Sequence, residues 1–213
     1  MIDLHCHVLP GLDDGAKDDE SALAMCREAA ADGIRVLVAT PHYRSGVGVE
    51  DLSVVPPAAA RLQRLVDAEG IALAIRHACE MPLLEDFLDC YRSGRWLAYD
   101  ETRKYVLWEI PPLPVNGAAV LSRVVSLLVS AGATPVLAHP ERLPFLDDLR
   151  AVEDVCARGA LLQVTAEAVL SDSAAGRRAR AWLDRGLVTA VATDSHSIRR
   201  RPPRLSPVRD FLR

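Results

Sequence analysis

Imidazole and carboxylate side chains recur in this chain immediately after short apolar runs, where an unpaired charge is costly to desolvate. His5 and His7 stand two residues apart, the period of a β-strand, so both project from one face while Cys6 points to the other. His42 follows Thr40, Glu80 comes soon after Ile75, Glu109 ends an apolar run, His139 follows Ala138, and Asp194 with His196 follows Thr193. Any one of these rings, taken alone, reads first as a hydrogen-bonded, partly buried histidine. Five of the six histidines together with three carboxylates at such positions point instead to divalent cations. Nitrogen and oxygen donors without thiolate suit manganese, iron, zinc or magnesium and do not choose among them. Asp13 and Asp14 lie in the turn-rich loop Pro10 to Gly15, which could fold one carboxylate back over the same place. Arg142, three residues past His139, has the guanidinium fork that holds an anionic oxygen. Arg199, Arg200 and Arg201 form either a solvated run or a ring of positive charge beyond His196, and His77 is left as a supporting or surface residue.

The elements that must position these groups are legible as an alternation. Short β-branched runs at Ile2 to His7, Arg35 to Thr40, Ala72 to Ile75, Tyr105 to Glu109, Pro135 to Ala138, Leu161 to Thr165 and Val188 to Thr193 predict seven strands. Amphipathic stretches near Asp19 to Asp32, Pro57 to Glu69, Pro82 to Tyr91, Ala118 to Ala131, Leu146 to Arg158 and Ala174 to Arg185 predict helices between them. Acidic Asp18, Asp19 and Glu20 favour the positive end of the first helix, and Gly33, Gly70, Gly132, Gly159 and Gly186 are placed to end helices. Strict alternation with short turns demands a parallel sheet with helical crossovers, and seven units in 213 residues suit a distorted (β/α)7 barrel occupying residues 1–213 as a single domain. An open doubly wound sheet is the alternative. In barrels of parallel strands, side chains at the carboxyl ends converge on one mouth. The five histidines and the three carboxylates Glu80, Glu109 and Asp194 lie at such ends; only the sixth strand, with Gln163 and Thr165, offers no ligand.

Composition removes several classes of function. With 25 basic and 29 acidic residues the net charge is −4, so no basic excess exists to neutralise a nucleic-acid backbone. The longest apolar stretch, Ala118 to Ala138, is broken by Arg123, Gly132 and Pro135 and does not read as a membrane span. No secretory signal pattern opens the chain, so a cytoplasmic location is expected. The five cysteines are odd in number, contain no CxxC pair and are read as reduced thiols; none has an arginine six positions on, which removes the thiol route to dephosphorylation.

Met1 to His7, Leu9 to Ala16, Ala39 to Tyr43 and Ala138 to Arg142 together closely resemble the PHP (polymerase and histidinol phosphatase) superfamily, and within it the CpsB/YwqE type of bacterial capsule and exopolysaccharide protein-tyrosine phosphatase. The resemblance implies three metal ions, usually manganese, and hydrolysis of phosphotyrosine on an autophosphorylating bacterial tyrosine kinase of polysaccharide export. Carried over by position, the first ion takes His5, His7, Glu80 and Asp194. The second takes Glu80, Glu109 and His139, and the third Asp14, His42 and His196, while Arg142 contacts the phosphoryl group. Departures are Cys79 where glycine is common, Thr193 and Ser195 around Asp194, and Thr165 to Leu170 in place of a glycine-rich segment, all of which alter the rim and remove no ligand.

The mechanism expected of such a set needs no protein nucleophile: adjacent divalent cations acidify a bridging water to supply hydroxide and neutralise the phosphoryl oxygens. His42 or His196 could in addition protonate a leaving group. The rival readings are a small-molecule phosphatase of the same superfamily acting on histidinol phosphate, a nucleotide phosphoesterase, and a metal-stabilised module without turnover. An amidohydrolase also opens on His-x-His, but it often needs a carbamylated lysine, and Lys17 and Lys104 are neither at a central strand end.

Overall fold

The computed structural model describes residues 1–44, 46–83, 85–112 and 116–213, which fall into two compact units: Met1–Glu80 with Val191–Arg213, and Met81–Ala190. In the first unit β1 (Ile2–Cys6), β2 (Val36–Ala39) and β3 (Ala74–His77) form a parallel sheet in the order β1-β2-β3. Helices α1 (Asp19–Ala31) and α2 (Val55–Ala68) make the crossovers. Helix α1 starts at a reciprocal cap: Asp18 accepts the Ser21 N–H at 2.8 Å and the Ser21 hydroxyl accepts the Asp18 N–H at 3.1 Å. The Pro56-Pro57 pair opens α2 in the turn where N–H groups have no intrahelical partner, and Val55, Ala59, Leu62 and Val66 form its buried face. All five glycines expected after helices have positive φ, from 66 to 104°.

The second unit carries β4 (Glu80–Pro82), β5 (Tyr105–Glu109), β6 (Thr134–Ala138), β7 (Leu161–Thr165) and β8 (Val188–Ala192) in that order; β4 starts, and β8 ends, within the first unit. Its helices are α3 (Phe87–Arg92), α4 (Gly117–Ser130), α5 (Leu149–Ala157), α6 (Ala166–Leu170) and α7 (Ala174–Asp184). Val106, Leu107 and Trp108 are consecutive buried residues, the pattern of a parallel strand covered on both faces. Two expectations change here. The third strand, expected at Ala72 to Ile75, runs Ala74–His77 and is followed by the unexpected β4, and the helix expected from Pro82 begins at Phe87 because Met81 and Pro82 stay extended. The Leu83 N–H donates to the Glu109 carbonyl at 2.8 Å, which continues the strand-like path; Leu84, within the expected helix, lies outside the described residues. The short α6 and α8 (Ser206–Phe211) have no counterpart in the expected set. Among the described residues no helix is long and apolar enough to cross a membrane.

The free edge of β1 is covered by the chain that follows β8. His5 and Ser195 carbonyls accept the Asp194 and His7 N–H groups, each at 2.8 Å, and Cys6 bridges Ser195. Beneath this junction Asp3 is wholly buried. Its Oδ1 accepts the Thr193 N–H at 3.0 Å and its Oδ2 accepts the Thr193 hydroxyl at 2.5 Å. Burial pushes the Asp3 carboxyl above its usual range, against the lowering effect of the Thr193 hydrogen bonds. Removing the carboxylate strands two buried donors at about 1–3 kcal/mol each. Asp3→Ala is therefore expected to lower the unfolding free energy in urea by about 2–4 kcal/mol, whereas Asp3→Asn, which keeps an acceptor for the Thr193 N–H, costs about 1 kcal/mol. Equal losses for the two variants would contradict this role.

Candidate metal centre

Four acceptor atoms in the first unit face one another. His5 Nε2 lies 3.1 Å from His7 Nε2, 3.2 Å from Glu80 Oε2 and 3.3 Å from Asp194 Oδ1. His7 Nε2 lies 3.4 Å from Glu80 Oε2 and 3.3 Å from Asp194 Oδ1. Donor atoms 3.1–3.4 Å apart have the spacing of two ligands bound about 2.0–2.2 Å from one divalent ion, the bond length to imidazole or carboxylate. The donor set therefore fits a divalent cation. The side chains of His5, His7 and Glu80 are 0% exposed, so water does not relieve the crowding of lone pairs.

Local backbone geometry aims these atoms. Asp3 pairs with Leu37 and Cys6 with Ala39, so β1 carries one extra residue against β2 just where His5 sits; such a bulge re-aims a side chain. The loop after β1 folds back on His7, with the Ala16 N–H donating to the His7 carbonyl at 3.0 Å. Gly15 lies so close that any Cβ there would collide with that carbonyl. Glu80 is brought to His42 because Tyr43 N–H donates to the Glu80 carbonyl and Glu80 N–H to the Pro41 carbonyl, each at 3.1 Å. Asp194 adopts φ 50°, a left-handed conformation uncommon outside glycine but more accessible to Asp than to most residues. Arg201 holds the Asp194 carbonyl at 3.1 Å and also its Oδ2, which leaves Oδ1 to the histidines.

Hydrogen bonds at the far ring nitrogens fix the tautomers. His7 Nδ1 lies 2.7 Å from Asp13 Oδ2 and must donate to it, which turns Nε2 into a lone pair aimed at the centre. Asp13 also accepts the N–H groups of Gly15 and His42, at 3.0 and 3.1 Å. Burial disfavours a charged His7, yet its hydrogen bonds to Asp13, Asp194 and Glu80 hold its pKa well above the usual imidazole value. For His5 the charges of Glu80 and Asp194 likewise outweigh burial. A second group joins His7, Asp14, His42 and His196, with ligand atoms all within 4.8 Å of one another. His196 Nδ1 donates to the Asp194 carbonyl at 2.9 Å, and its bare Nε2 lies 3.3 Å from Asp14 Oδ1. Burial, then the charge of His7, pushes His196 down to about 4, so it stays a neutral ligand. His42 places Nδ1 3.0 Å from Glu80 Oε2 and Nε2 3.8 Å from Asp14, whose side chain, 51% exposed, is the group's solvent side.

Seven of the expected residues, His5, His7, Asp14, His42, Glu80, Asp194 and His196, thus assemble within the first unit. Glu109 and His139 stand in the second, at the carboxyl ends of the paired strands β5 and β6, and His139 has φ 34°. Arg142, itself exposed, closes a 3-10 turn there whose other two residues, Pro140 and Glu141, are buried. That turn is braced by a residue with no role in the sequence reading: buried Glu141 accepts the N–H and hydroxyl of Thr165 at 2.9 and 2.8 Å. His77 ends β3, half-buried, and belongs to neither group. The carboxylate folded back by the Asp-Asp-Gly loop onto the His7 ring is that of Asp13, as partner to the ring, while Asp14 joins the second group. Asp3 was also missed, although it precedes His5 and His7 at the same two-residue period and so shares their face.

Comparison with known proteins agrees with this architecture. Tyrosine-protein phosphatase YwqE of Bacillus subtilis is 31% identical over 206 residues, covering 94% of this chain and 79% of that protein. Tyrosine-protein phosphatase CpsB of Streptococcus pneumoniae is 26% identical over 231 residues, covering 100% and 89%. Among solved structures, a chain from the crystallographic study of YwqE and CpsB, described there as unique metal-dependent tyrosine phosphatases, superposes with a TM-score of 0.83 at 28% identity over 100% of this chain and 85% of that one. The fold class is accordingly the TIM-like (β/α) class of PHP proteins expected from the alternation. The family profile for capsular polysaccharide synthesis proteins CpsB/CapC matches residues 1–213, and the chain belongs to that family.

Proposed function

We infer that this protein is a metal-dependent phosphomonoesterase that hydrolyses phosphotyrosine on protein. The observation that carries the reading is the convergence of His5 and His7, whose Nε2 atoms lie 3.1–3.4 Å from each other and from Glu80 Oε2 and Asp194 Oδ1, the spacing of ligands on a divalent ion, in a chain related to tyrosine-protein phosphatases. The proposed complement is three divalent ions, manganese foremost, with iron, zinc or magnesium as substitutes. His5, His7, Glu80 and Asp194 would hold one and Asp14, His42 and His196 another; Glu109 and His139 are included on residue type and strand-end position. When bound, such ions acidify water and neutralise phosphoryl oxygens.

The chain's own residues do the positioning. Asp13 and the His196 contact with the Asp194 carbonyl set which imidazole nitrogens are bare. With its Nδ1–H so occupied, His196 acts as a ligand rather than a proton donor, and a tyrosyl phenolate, with a parent pKa of about 10, leaves without one. Arg142 is proposed to hold a phosphoryl oxygen through its guanidinium fork. The proposed substrate is an autophosphorylating tyrosine kinase of polysaccharide export, met in the cytoplasm, where the five free cysteines stay reduced.

Three experiments test this reading. Stripping the protein with chelator is expected to abolish p-nitrophenyl phosphate hydrolysis and added manganese to restore it; Asp13→Asn should weaken metal binding by about 10–100-fold in calorimetric titration while leaving the fold intact. Unaltered affinity in that variant would remove Asp13 from its positioning role. In a substrate panel, a phosphotyrosyl peptide is expected to surpass both phosphoserine peptide and histidinol phosphate in kcat/KM. A preference for histidinol phosphate by orders of magnitude would replace the protein-phosphatase reading with the small-molecule one.

A further inference from the structure

A cleft of about 700 Å³ opens beside the second ligand group, with Asp14 and His196 in its lining. That volume suits a short peptide or a drug-sized ligand, for which pockets run to about 300–1,000 Å³. The same lining includes Lys17, Arg199 and Arg200, all exposed, and Ile198, 48% exposed, gives it an apolar side with Met25 buried in its wall. Lys17 is one of only two lysines in a chain of net charge −4, so three cations at this place run against the overall balance. Several of the nearby acids are otherwise engaged, while Glu20 on the first turn of α1 is exposed. Asp18 caps α1, Asp19 takes a bidentate pair with Arg61 at 2.6 and 2.5 Å, and Glu28 pairs with Arg204. Arg201, the remaining cation of the lining, is bound to Asp194. Lys17, Arg199 and Arg200 form no ion pair among the described residues.

We propose that this cleft is a specificity subsite for acidic residues flanking the phosphotyrosine of a protein substrate, read by Lys17, Arg199 and Arg200. The proposal rests on the phosphotyrosine reading above and adds the charge of the substrate's neighbouring sequence to it. A free inorganic anion has no use for the apolar side given by Ile198, whereas a peptide with acidic side chains matches both characters of the lining. Three solvent-exposed ion pairs together discriminate by about tenfold, and salt screens them.

The test uses the full chain reconstituted with manganese and three substrates: a phosphotyrosyl peptide with Asp and Glu at the flanking positions, the same peptide with Ser and Gly there, and p-nitrophenyl phosphate. The acidic peptide is expected to exceed the neutral one about tenfold in kcat/KM, through KM, with the ratio falling toward one as salt rises from about 0.05 M to about 0.5 M. The triple variant Lys17→Gln, Arg199→Gln, Arg200→Gln is expected to bring the ratio near one at low salt, with its melting temperature retained because all three side chains are exposed. Equal kcat/KM for the two peptides in the unmodified protein, or a ratio that the triple variant leaves in place, overturns the proposal while p-nitrophenyl phosphate is still turned over. Failure on all three substrates removes the phosphatase reading and this inference with it.

Discussion

Two imidazole nitrogens, those of His5 and His7, lie 3.1–3.4 Å from each other and from the carboxylate oxygens of Glu80 and Asp194 in a buried place, electron-pair donors all. Without positive charge between them such a cluster repels itself, and in a medium of low polarity that repulsion is poorly screened. Protons on His5 and His7 reduce it, which is why their acidic neighbours hold both rings above the usual pKa despite burial. A divalent ion takes such donors at bond lengths of about 2.0–2.2 Å and supplies the missing positive charge. The remaining features of the first unit follow from the need to keep these donors pointed inward before any ion arrives.

That preorganisation is built from backbone as much as from side chains. The bulge in β1 turns His5, the contact of Gly15 with the His7 carbonyl fixes the loop that delivers Asp13, and left-handed Asp194 swings its carboxylate toward the histidines. Asp3 joins β1 to the segment after β8 through Thr193, the residue immediately before Asp194. The metal centre and the closure of the first unit are therefore one construction, since the hydrogen bonds that cover the edge of β1 also place a ligand.

The sequence revealed most of what depends on local pattern. Period-two spacing put His5 and His7 on one face, the apolar runs located β5 and β7 to the residue, and helix-ending glycines were recognisable from their positions. What escaped depends on contacts between distant segments. The three-residue β4 is too short to announce itself by alternation, and its extended course displaced the start of α3 to Phe87. The Asp3–Thr193 link spans 190 residues, and the choice between a solvated Arg201 and one folded onto Asp194 was decided by tertiary packing. The Asp13–Asp14 pair was narrowed to a shared neighbourhood, but only geometry assigned Asp13 to the His7 ring and Asp14 to the second ligand group.

The central claim is that the four facing donors exist to enclose a metal ion. Anomalous diffraction from crystals of the protein grown with manganese measures this directly. A manganese peak bounded by His5 Nε2, His7 Nε2, Glu80 Oε2 and Asp194 Oδ1 is the predicted result; crystals that bind manganese elsewhere while these four atoms remain joined only through protons would contradict it.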